Sequence, residues 1–259
     1  MSDSKKNRAR LSLVEAIALC VIVSAVTIQV VRQVEDKHLF FSGPALPELE
    51  PFRKYGPQRS SQFFEEWIIR DYFKDRANGV FLDVGANHYK RDSTTYFLET
   101  GLGWTGIAVE PQTQFAADYE KYRPHTRFVA LFASDVADTK VKFFIPKESR
   151  VASSNQEFTA QYGNGVAGTA TEVPTTTLNA VLDQAGVKRL DFLSMDIELA
   201  EPKALAGFDI DRFQPALVCI EAHYEVRQQI LDYFAAHNYI IVGKYLRADP
   251  HNLYFAPRR

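Results

Sequence analysis

The sequence contains few cysteines, no surplus of positive charge and no internal repeat. Its two cysteines, Cys20 and Cys219, lie in an apolar N-terminal stretch and in a predicted buried strand, so neither a disulfide framework nor a zinc site is indicated. With 30 Lys and Arg against 32 Asp and Glu, the net charge of −2 argues against nucleic acid as the main partner, because neutralising phosphates requires a basic excess. The 259 residues, 46% hydrophobic and 24% charged, fit one full-sized globular domain plus an extension.

The extension is N-terminal. Residues 1–10 form a basic tail, and residues 11–31 are a run of about 20 mostly apolar residues, long enough as a helix to cross a bilayer core. This run predicts a single-pass transmembrane helix, with the membrane as a partner; a cleaved signal peptide and a helix lying on the membrane surface are the alternatives. Residues 32–60, which contain several prolines and glycines, are predicted to be a stalk, and residues 61–259 the globular domain.

Within the globular domain, short apolar runs alternate with helical patterns. The apolar runs predict strands at 80–84, 106–109, 128–132, 190–195 and 217–220. Strands separated by helices in this way predict a mostly parallel sheet covered by helices on both faces. Residues 150–172, rich in Ser, Thr, Asn and Gly, are predicted to be a long loop, and Phe158 and Tyr162 within it are candidate ligand contacts.

Polar residues follow five of the predicted strands, at the edge of the sheet where ligands bind in such folds. Glu110 follows the second strand, where a carboxylate can accept hydrogen bonds from ribose hydroxyls. Clustered carboxylates repel one another unless they bind hydroxyls, amines or a cation. The pattern therefore predicts a nucleoside site with further polar chemistry beside it, built from Asp83, Gly85, Asn87 and His88; Glu110; Ser134 and Asp135; Asp196 and Glu198; and Glu221 and His223.

Glycine is scarce where a dinucleotide would need it. After Gly85 no further glycine occurs until Gly101. A nicotinamide or flavin domain needs second and third glycines to admit a pyrophosphate at a helix N-terminus, so an oxidoreductase is disfavoured. The turn Asp83-Val84-Gly85-Ala86-Asn87 suits a ligand that has a ribose and an amino-acid tail but no phosphate, and S-adenosylmethionine fits that description.

Several motifs also occur in the order typical of a known family. They begin with Phe-Leu-Asp-Val-Gly-Ala-Asn and lie within residues 81–111, 173–179, 190–198 and 216–221. Over about residues 60–245 the chain thereby resembles the FkbM-family S-adenosylmethionine-dependent methyltransferases. The resemblance implies a class I, Rossmann-like α/β fold, with a mostly parallel seven-stranded sheet and helices on both faces, to which the predicted transmembrane helix would be added. It places Asp83, Gly85 and Asn87 at the methionine part of the cofactor, Glu110 at the ribose and Asp135 at the adenine.

The chain departs from the family pattern at two places. His88-Tyr89-Lys90 stands where a glycine is common after the asparagine, and Glu198-Leu199-Ala200 stands where Glu-Gly-Ala is common. The first departure affects the entrance to the cofactor site and the second the acceptor pocket. The altered turn motivates an alternative function, a catalytically impaired methyltransferase-like binding module tethered to the membrane.

The resemblance implies O-methylation of a hydroxyl on a glycan, lipid-linked or secondary-metabolite acceptor, which requires a group to take the proton. His223 and His88 are the candidate bases, with Asp196, Glu198 and Glu221 as orienting partners or alternative bases. A divalent metal held by Asp196, Glu198, Glu221 and His223 is an option that the residue types allow, but it is not predicted.

Two features of the sequence give opposite indications of the side of the membrane on which the catalytic domain lies. Basic residues before the apolar run favour a domain outside the cytoplasm, whereas S-adenosylmethionine is made in the cytosol. Cofactor supply decides the expectation, which is a cytoplasmic catalytic domain.

Overall fold

A computed structural model describes residues 47–56, 58–147 and 149–258. Contacts divide the chain into two units, Met1–Glu50 and Pro51–Arg259. A 3-10 helix covers Pro47–Tyr55, and Phe52 within it is buried. The predicted tail, the apolar run and most of the predicted stalk lie outside the described residues.

The second unit is built around a seven-stranded sheet. Its strands are β1 (Val80–Val84), β2 (Thr105–Val109), β3 (Thr126–Val129), β7 (Phe192–Met195), β8 (Leu217–Glu221), β9 (Tyr239–Ile241) and β10 (Asn252–Pro257). The spatial order is β3-β2-β1-β7-β8-β10-β9. The first five strands in that order are parallel, and β10 runs antiparallel to both of its neighbours. The sheet is therefore mixed, with a parallel part at which ligands can bind.

Helices cover both faces of this sheet, as predicted. They are α1 (Glu65–Phe73), α2 (Tyr96–Leu102), α3 (Ala116–Tyr122), α5 (Leu178–Gln184), α6 (Glu201–Ala206), α7 (Ile210–Phe213) and α8 (Tyr224–Ala236). Side chains alternate across each strand, so Leu82 and Val84 belong to one core cluster that includes Leu182 of α5 and Phe234 of α8. The intervening Phe81 and Asp83 are buried on the opposite face. Thr177 caps α5, since its side chain accepts a hydrogen bond from the Ala180 amide.

The chain leaves the main sheet earlier than predicted. The third strand ends at Val129 instead of continuing through 132, because a turn follows in which the Leu131 amide donates to the Val129 carbonyl. The next residues form β4 (Phe132–Ala133), which pairs with β6 (Thr169–Thr176); β6 in turn pairs with β5 (Lys140–Ile145). These three strands form a separate small sheet.

The predicted loop over 150–172 is wrong. It contains α4 (Gln156–Tyr162), capped by the side chain of Asn155, and the first residues of β6. Phe132, Phe143 and Val173 of the small sheet pack on Ala200, which follows β7 in the main sheet. Turn-forming residues suggested a loop because two of them act as a helix cap and a helix end, at Asn155 and Gly163.

The prediction of a transmembrane helix is corrected. Among the described residues no helix combines the length and the apolar character that crossing a membrane requires. The longest of them, Tyr224–Ala236, has 13 residues and carries exposed charged residues such as Glu225, so it is too short and too polar. Residues 11–31 lie outside the described part of the chain. The fold is thus a mixed seven-stranded α/β fold without a spanning helix in that part, and the single-pass membrane location predicted from the helix is withdrawn with it.

One buried ion pair joins the helices on one face of the sheet. The Arg123 guanidinium, 0% exposed, donates to Glu99 Oε2 at 2.5 Å and to the Thr95 hydroxyl at 3.2 Å. Thr95 donates in turn to Asp83 Oδ2 at 2.7 Å. The pair therefore connects the C-terminal end of α3 to the acidic residue of β1.

We expect Glu99→Ala to lower the free energy of unfolding by about 3–5 kcal/mol, because it leaves the Arg123 charge buried without its partner. Urea denaturation followed by circular dichroism measures the loss. Glu120→Ala, at an exposed position of α3, is the control and should change stability by less than about 0.5 kcal/mol. Equal losses in the two variants would contradict the assigned importance of the pair.

Candidate functional site

The site lies along one row of residues at the carboxyl ends of the parallel strands. Val109, Val84, Met195 and Ile220 are paired across β2, β1, β7 and β8. The next residue of each strand is therefore at the same level, which gives the row Glu110, Gly85, Asp196 and Glu221. With neighbouring strands about 4.8 Å apart, the row is about 14 Å long, comparable to an extended nucleoside with a short tail.

Gly85 allows β1 and β7 to approach each other at the middle of this row. Its φ of +84° lies in the left-handed region, and its amide donates to the Val109 carbonyl at 2.9 Å. A Cβ atom at this position would overlap the backbone oxygen of Asp196. Only glycine meets both conditions, so the turn predicted from the sequence has a definite steric cause.

Glu110 is held rigidly at one end of the row. Its side chain is buried, Oε2 accepts from the Asn87 amide at 3.1 Å, and Oε1 accepts from the Gln112 amide at 2.9 Å. Burial raises the pKa of Glu110 to about 7, although the two amides act in the opposite direction. Each oxygen has a second lone pair beyond these bonds, so the fixed carboxylate can accept from a ligand.

Two adjacent cavities open on the row. The first has a volume of about 430 Å³ including its open mouth, and it is lined by Glu110 and Gln112, by Leu131 to Ala133, and by Ile197 and Glu198. The second, of about 530 Å³ by the same measure, is lined by Asp83, Asp92 and Thr94, by Arg91, and by Gln62 and Ser194. Gly85, Asn87, Arg150 and Asp196 line both.

Asp83 contributes to the second cavity from inside strand β1. It is buried, and Thr95 occupies one lone pair of its Oδ2. Burial raises the pKa of Asp83, whereas the hydrogen bond from Thr95 and the charge of Arg123 lower it. The sequence prediction placed Asp83, Gly85 and Asn87 together at one ligand, and the structure brings all three to this cavity.

The other end of the row carries a cluster of Glu198, Glu221 and His223. His223 Nε2 lies 3.3 Å from Glu198 Oε2 and 2.9 Å from Glu221 Oε2. Glu221 is the last residue of β8, and Glu198 follows β7 in a left-handed conformation with φ of +54°. The Ser153 hydroxyl, from the segment before α4, donates to the Glu198 carbonyl at 2.6 Å. Sequence separations of about 25 residues are thus closed by the parallel pairing of β7 and β8.

Aromatic rings border this cluster. The rings of Phe158 and Tyr162 lie 5.1 and 6.0 Å from that of His223, measured between ring centres. Tyr162 is 46% exposed, and the neighbouring Tyr224 is 92% exposed. The two aromatic residues that the sequence suggested as ligand contacts therefore adjoin the cluster, on a helix instead of a loop.

The charges in the cluster act strongly on one another. The adjacent carboxylates, Glu198 first and Glu221 second, raise the pKa of His223 to about 10. Burial is the main reason that the pKa of Glu198 and of the nearby Glu201 is raised to about 7. Asp196 lines the cavities and is exposed there, although protein atoms surround its carboxyl group closely. This burial raises the pKa of Asp196, and the charges of Glu221 and Glu198 raise it further. At neutral pH one imidazolium thus faces an excess of acidic groups.

Five of the predicted residues do not line these two cavities: Glu221 and His223, which belong to the cluster, and Ser134, Asp135 and His88. His88 Nδ1 accepts from the amides of Lys90 and Arg91 at 3.1 and 3.0 Å, so it stabilises the turn that replaces the glycine common in the family. Asp135 is exposed and follows β4, because the chain has already turned into the small sheet. The predicted roles of His88 as a base and of Asp135 at the adenine remain predictions, without support from these positions.

Other residues of the site have no sequence signal of their own. The Ser149 carbonyl accepts from the side-chain amides of Asn87 and Gln112, at 3.4 and 3.1 Å, which fixes the segment before α4 against the ends of β1 and β2. Arg150 donates to Asp92 at 3.2 Å. Gln112, two residues after Glu110, resembles the other strand-end candidates; Ser149 and Arg150 could be found only from tertiary structure.

Gly85→Ala is expected to destabilise the fold more than an equivalent change elsewhere. Gly165→Ala is the matched control, because Gly165 has the same φ of +84° but open space where a Cβ would lie. The control should lose about 1–2 kcal/mol from backbone strain, and Gly85→Ala roughly 1–3 kcal/mol more from overlap with Asp196. Chemical denaturation measures both, and equal losses would show that the overlap relaxes without cost.

Comparisons with known proteins identify the family. A precorrin-6y C5,15-methyltransferase from Geobacter metallireducens is 9% identical over 68% of this chain and 70% of its own, with a TM-score of 0.40. A 1,6-didemethyltoxoflavin-N1-methyltransferase from Burkholderia thailandensis, solved with bound 1,6-didemethyltoxoflavin and S-adenosylhomocysteine, is 16% identical over 97% of this chain and 92% of its own, with a TM-score of 0.34. At these scores neither likeness carries an argument about mechanism.

No curated protein sequence matches the chain. The family described as the methyltransferase FkbM domain matches residues 83–241, which is more than half of the chain and includes the whole row from Gly85 to Glu221. The chain therefore belongs to the FkbM methyltransferase family, whose activity depends on S-adenosylmethionine.

Proposed function

We propose that the protein methylates a hydroxyl group of a sugar or secondary-metabolite acceptor, with S-adenosylmethionine as donor. The observation that carries this proposal is the row of residues across β2, β1, β7 and β8. One end carries a fixed carboxylate suited to a ribose, and the other carries the Glu198–Glu221–His223 cluster. Asp196 stands between them and lines both cavities.

The residues of the two cavities fit the cofactor. In the first cavity, Glu110 would accept from the ribose hydroxyls, since its own amide bonds fix it without using all its lone pairs. The second cavity is lined by both signs of charge: Asp83, Asp92, Arg91 and Arg150. Such a lining suits an amino-acid tail, which carries an ammonium and a carboxylate. Gly85 and Asn87 line both cavities, at the junction of tail and nucleoside.

When bound, S-adenosylmethionine supplies an electrophilic methyl group on a sulfonium centre. The chain has to orient the acceptor oxygen, exclude water and take a proton. The cluster at the ends of β7 and β8 would bind the acceptor hydroxyl, and Asp196, by its position between cluster and cavities, would accept the proton. His223 as the base, the interpretation favoured by the sequence, is the competing assignment.

The surroundings of the cluster support the acceptor class. Carboxylates accept hydrogen bonds from neighbouring hydroxyls, and aromatic faces pack on the apolar faces of ring compounds. Phe158 and Tyr162 supply such faces at the border of the cluster, and Tyr162 is exposed. A hydroxyl-rich ring compound combines both requirements.

We expect Glu110→Gln to weaken S-adenosylmethionine binding about 10- to 100-fold. Glutamine removes the negative charge. In addition, its NH2 group would face one of the two backbone amides, of Asn87 or Gln112, so that two donors would oppose each other. Isothermal titration calorimetry measures the change, with the exposed Glu120→Gln as control. Unchanged affinity would remove Glu110 from the ribose site.

The same residue predicts a pH dependence. Burial raises the pKa of Glu110 to about 7, so the carboxylate is ionised above that pH and takes up a proton below it. Cofactor affinity should therefore fall as the pH decreases from 8 to 6, and this part of the fall should be missing in Glu110→Gln. Groups of the cofactor titrate alike in both proteins, so the difference between the two pH profiles isolates Glu110. Parallel profiles would contradict the assignment.

Asp196→Asn should reduce kcat at least 100-fold while cofactor affinity changes less than about threefold, since it removes the proton acceptor and keeps the shape. Release of S-adenosylhomocysteine with a panel of sugar and phenolic hydroxyls measures turnover, and Asp232→Asn on an exposed position of α8 is the control. His223→Gln tested in the same assay separates the two bases. Cofactor binding without turnover on any acceptor would favour the alternative, a methyltransferase-like binding module.

A further inference from the structure

Three potential ligand atoms converge in the Glu198–Glu221–His223 cluster. One carboxylate oxygen of Glu198, one of Glu221 and a ring nitrogen of His223 all lie within 4.8 Å of one another. The nitrogen is 2.9 and 3.3 Å from the two oxygens. Atoms bound about 2.1 Å from one ion are about 3.0 Å apart at right angles and about 3.4 Å apart at the tetrahedral angle. The two nitrogen–oxygen separations match those of ligands around a common metal ion.

Hydrogen bonding within the protein leaves this cluster incompletely satisfied. A single imidazole N–H can donate well to only one of the two carboxylates, and only the contact with Glu198 has hydrogen-bond geometry. Glu221 Oε2 is buried and has no hydrogen-bond partner. Glu201, 0% exposed and close enough for the charges of Glu221 and Glu198 to act on it, also has an oxygen, Oε2, without a partner. Buried carboxylate oxygens without donors are costly, and a cation is the usual compensation.

The fold fixes these ligands without relying on mobile side chains alone. Glu221 is at the end of a strand whose neighbours on both sides are paired, β7 and β10. The backbone of Glu198 is held by the Ser153 hydroxyl. His223 is bordered by Phe158 and Tyr162 of α4. The three ligands come from two adjacent strand ends, so the fold holds them close together. The flexible side chains of a surface cluster of acids are not held in this way.

We propose that Glu198, Glu221 and His223 bind a divalent metal ion. Two carboxylate oxygens and one imidazole nitrogen form a mixed donor set, which favours manganese or zinc over calcium and magnesium. Three protein ligands leave coordination positions free, as in catalytic metal sites.

The role of the ion rests on the proposed methyl transfer, whereas its binding does not. A hydroxyl oxygen at a free coordination position would lose its proton more easily, because the ion stabilises the alkoxide. The proton would pass to Asp196, which lines the adjoining cavities. The ion would then orient the acceptor oxygen toward the cofactor side of the row.

Binding is tested directly with the full chain after removal of metals by a chelator. Electron paramagnetic resonance of added Mn²⁺, and calorimetry with Zn²⁺, should show one saturable site per chain. Glu221→Gln and His223→Gln should each weaken it at least tenfold. Glu225→Gln, which removes the same charge from an exposed position four residues beyond Glu221, should bind as the unaltered protein does. Absence of saturable binding of either ion, or equal binding in all variants, overturns the proposal.

Thermal unfolding supplies a readout independent of activity and controls for folding. Without metal, Glu221→Gln should melt at the same or a higher temperature than the unaltered chain, since it removes repulsion between carboxylates. Mn²⁺ should raise the melting temperature of the unaltered chain and leave that of Glu221→Gln nearly unchanged. Equal metal-induced shifts in both proteins count against the site.

Failure of this inference is distinguishable from failure of the proposed function. Methyl transfer at an unchanged rate after complete metal removal would reject the catalytic role of the ion and leave O-methylation standing. Metal binding that depends on Glu221 and His223, in a chain that methylates no hydroxyl, would support the site and reject the function.

Discussion

The contact between the turn after β1 and the end of β7 is the constraint on which the site depends. Gly85 lies so close to the backbone oxygen of Asp196 that no side chain fits between them. Because β1 is central in the parallel part of the sheet, this contact aligns the ends of β2, β1, β7 and β8 in one row. The distance between Glu110 and the Glu198–Glu221–His223 cluster is thus set by strand spacing, not by loops.

The buried carboxylates of this fold are of two kinds: some have hydrogen-bond donors for their oxygens, and others do not. Around Arg123 both oxygens of Glu99 have donors: the guanidinium and the Thr126 hydroxyl donate to one, and the His125 amide donates to the other. Thr95 extends this network to Asp83. At the end of β8, by contrast, carboxylates are gathered with too few donors. The first arrangement stabilises the fold, and the second keeps interaction free energy available for a ligand.

The sequence correctly predicts that the residues at the ends of the first two strands lie together, because they are close along the chain. Asp83, Gly85 and Asn87 form one turn, and Glu110 is the strand end paired beside it, so alternation of strands and helices suffices to bring them together. The Glu198–Glu221–His223 cluster joins residues that are further apart along the chain. Only the parallel pairing of β7 and β8 reveals that Glu198 and Glu221 both contact the His223 ring.

The failures have equally specific causes. Asp135 was expected beside the cofactor because the apolar run 128–132 looks like one strand, whereas the turn at Leu131 splits it between two sheets. The sequence of 150–172 is typical of a loop because the residue types that cap and end a helix, here Asn155 and Gly163, are also common in loops. Arg150 enters the site through the packing of an inserted small sheet, which no local pattern encodes.

The segment before α4 is bound to the ends of β1 and β2 through a backbone oxygen. Asn87 and Gln112 both donate to the main-chain oxygen of Ser149, so the attachment uses no side chain of the insertion. Substitutions at 149 preserve the oxygen, whereas a change in length before it would move the oxygen out of reach. The residue types around position 149 can therefore change without loss of these two hydrogen bonds, whereas the number of residues before it cannot.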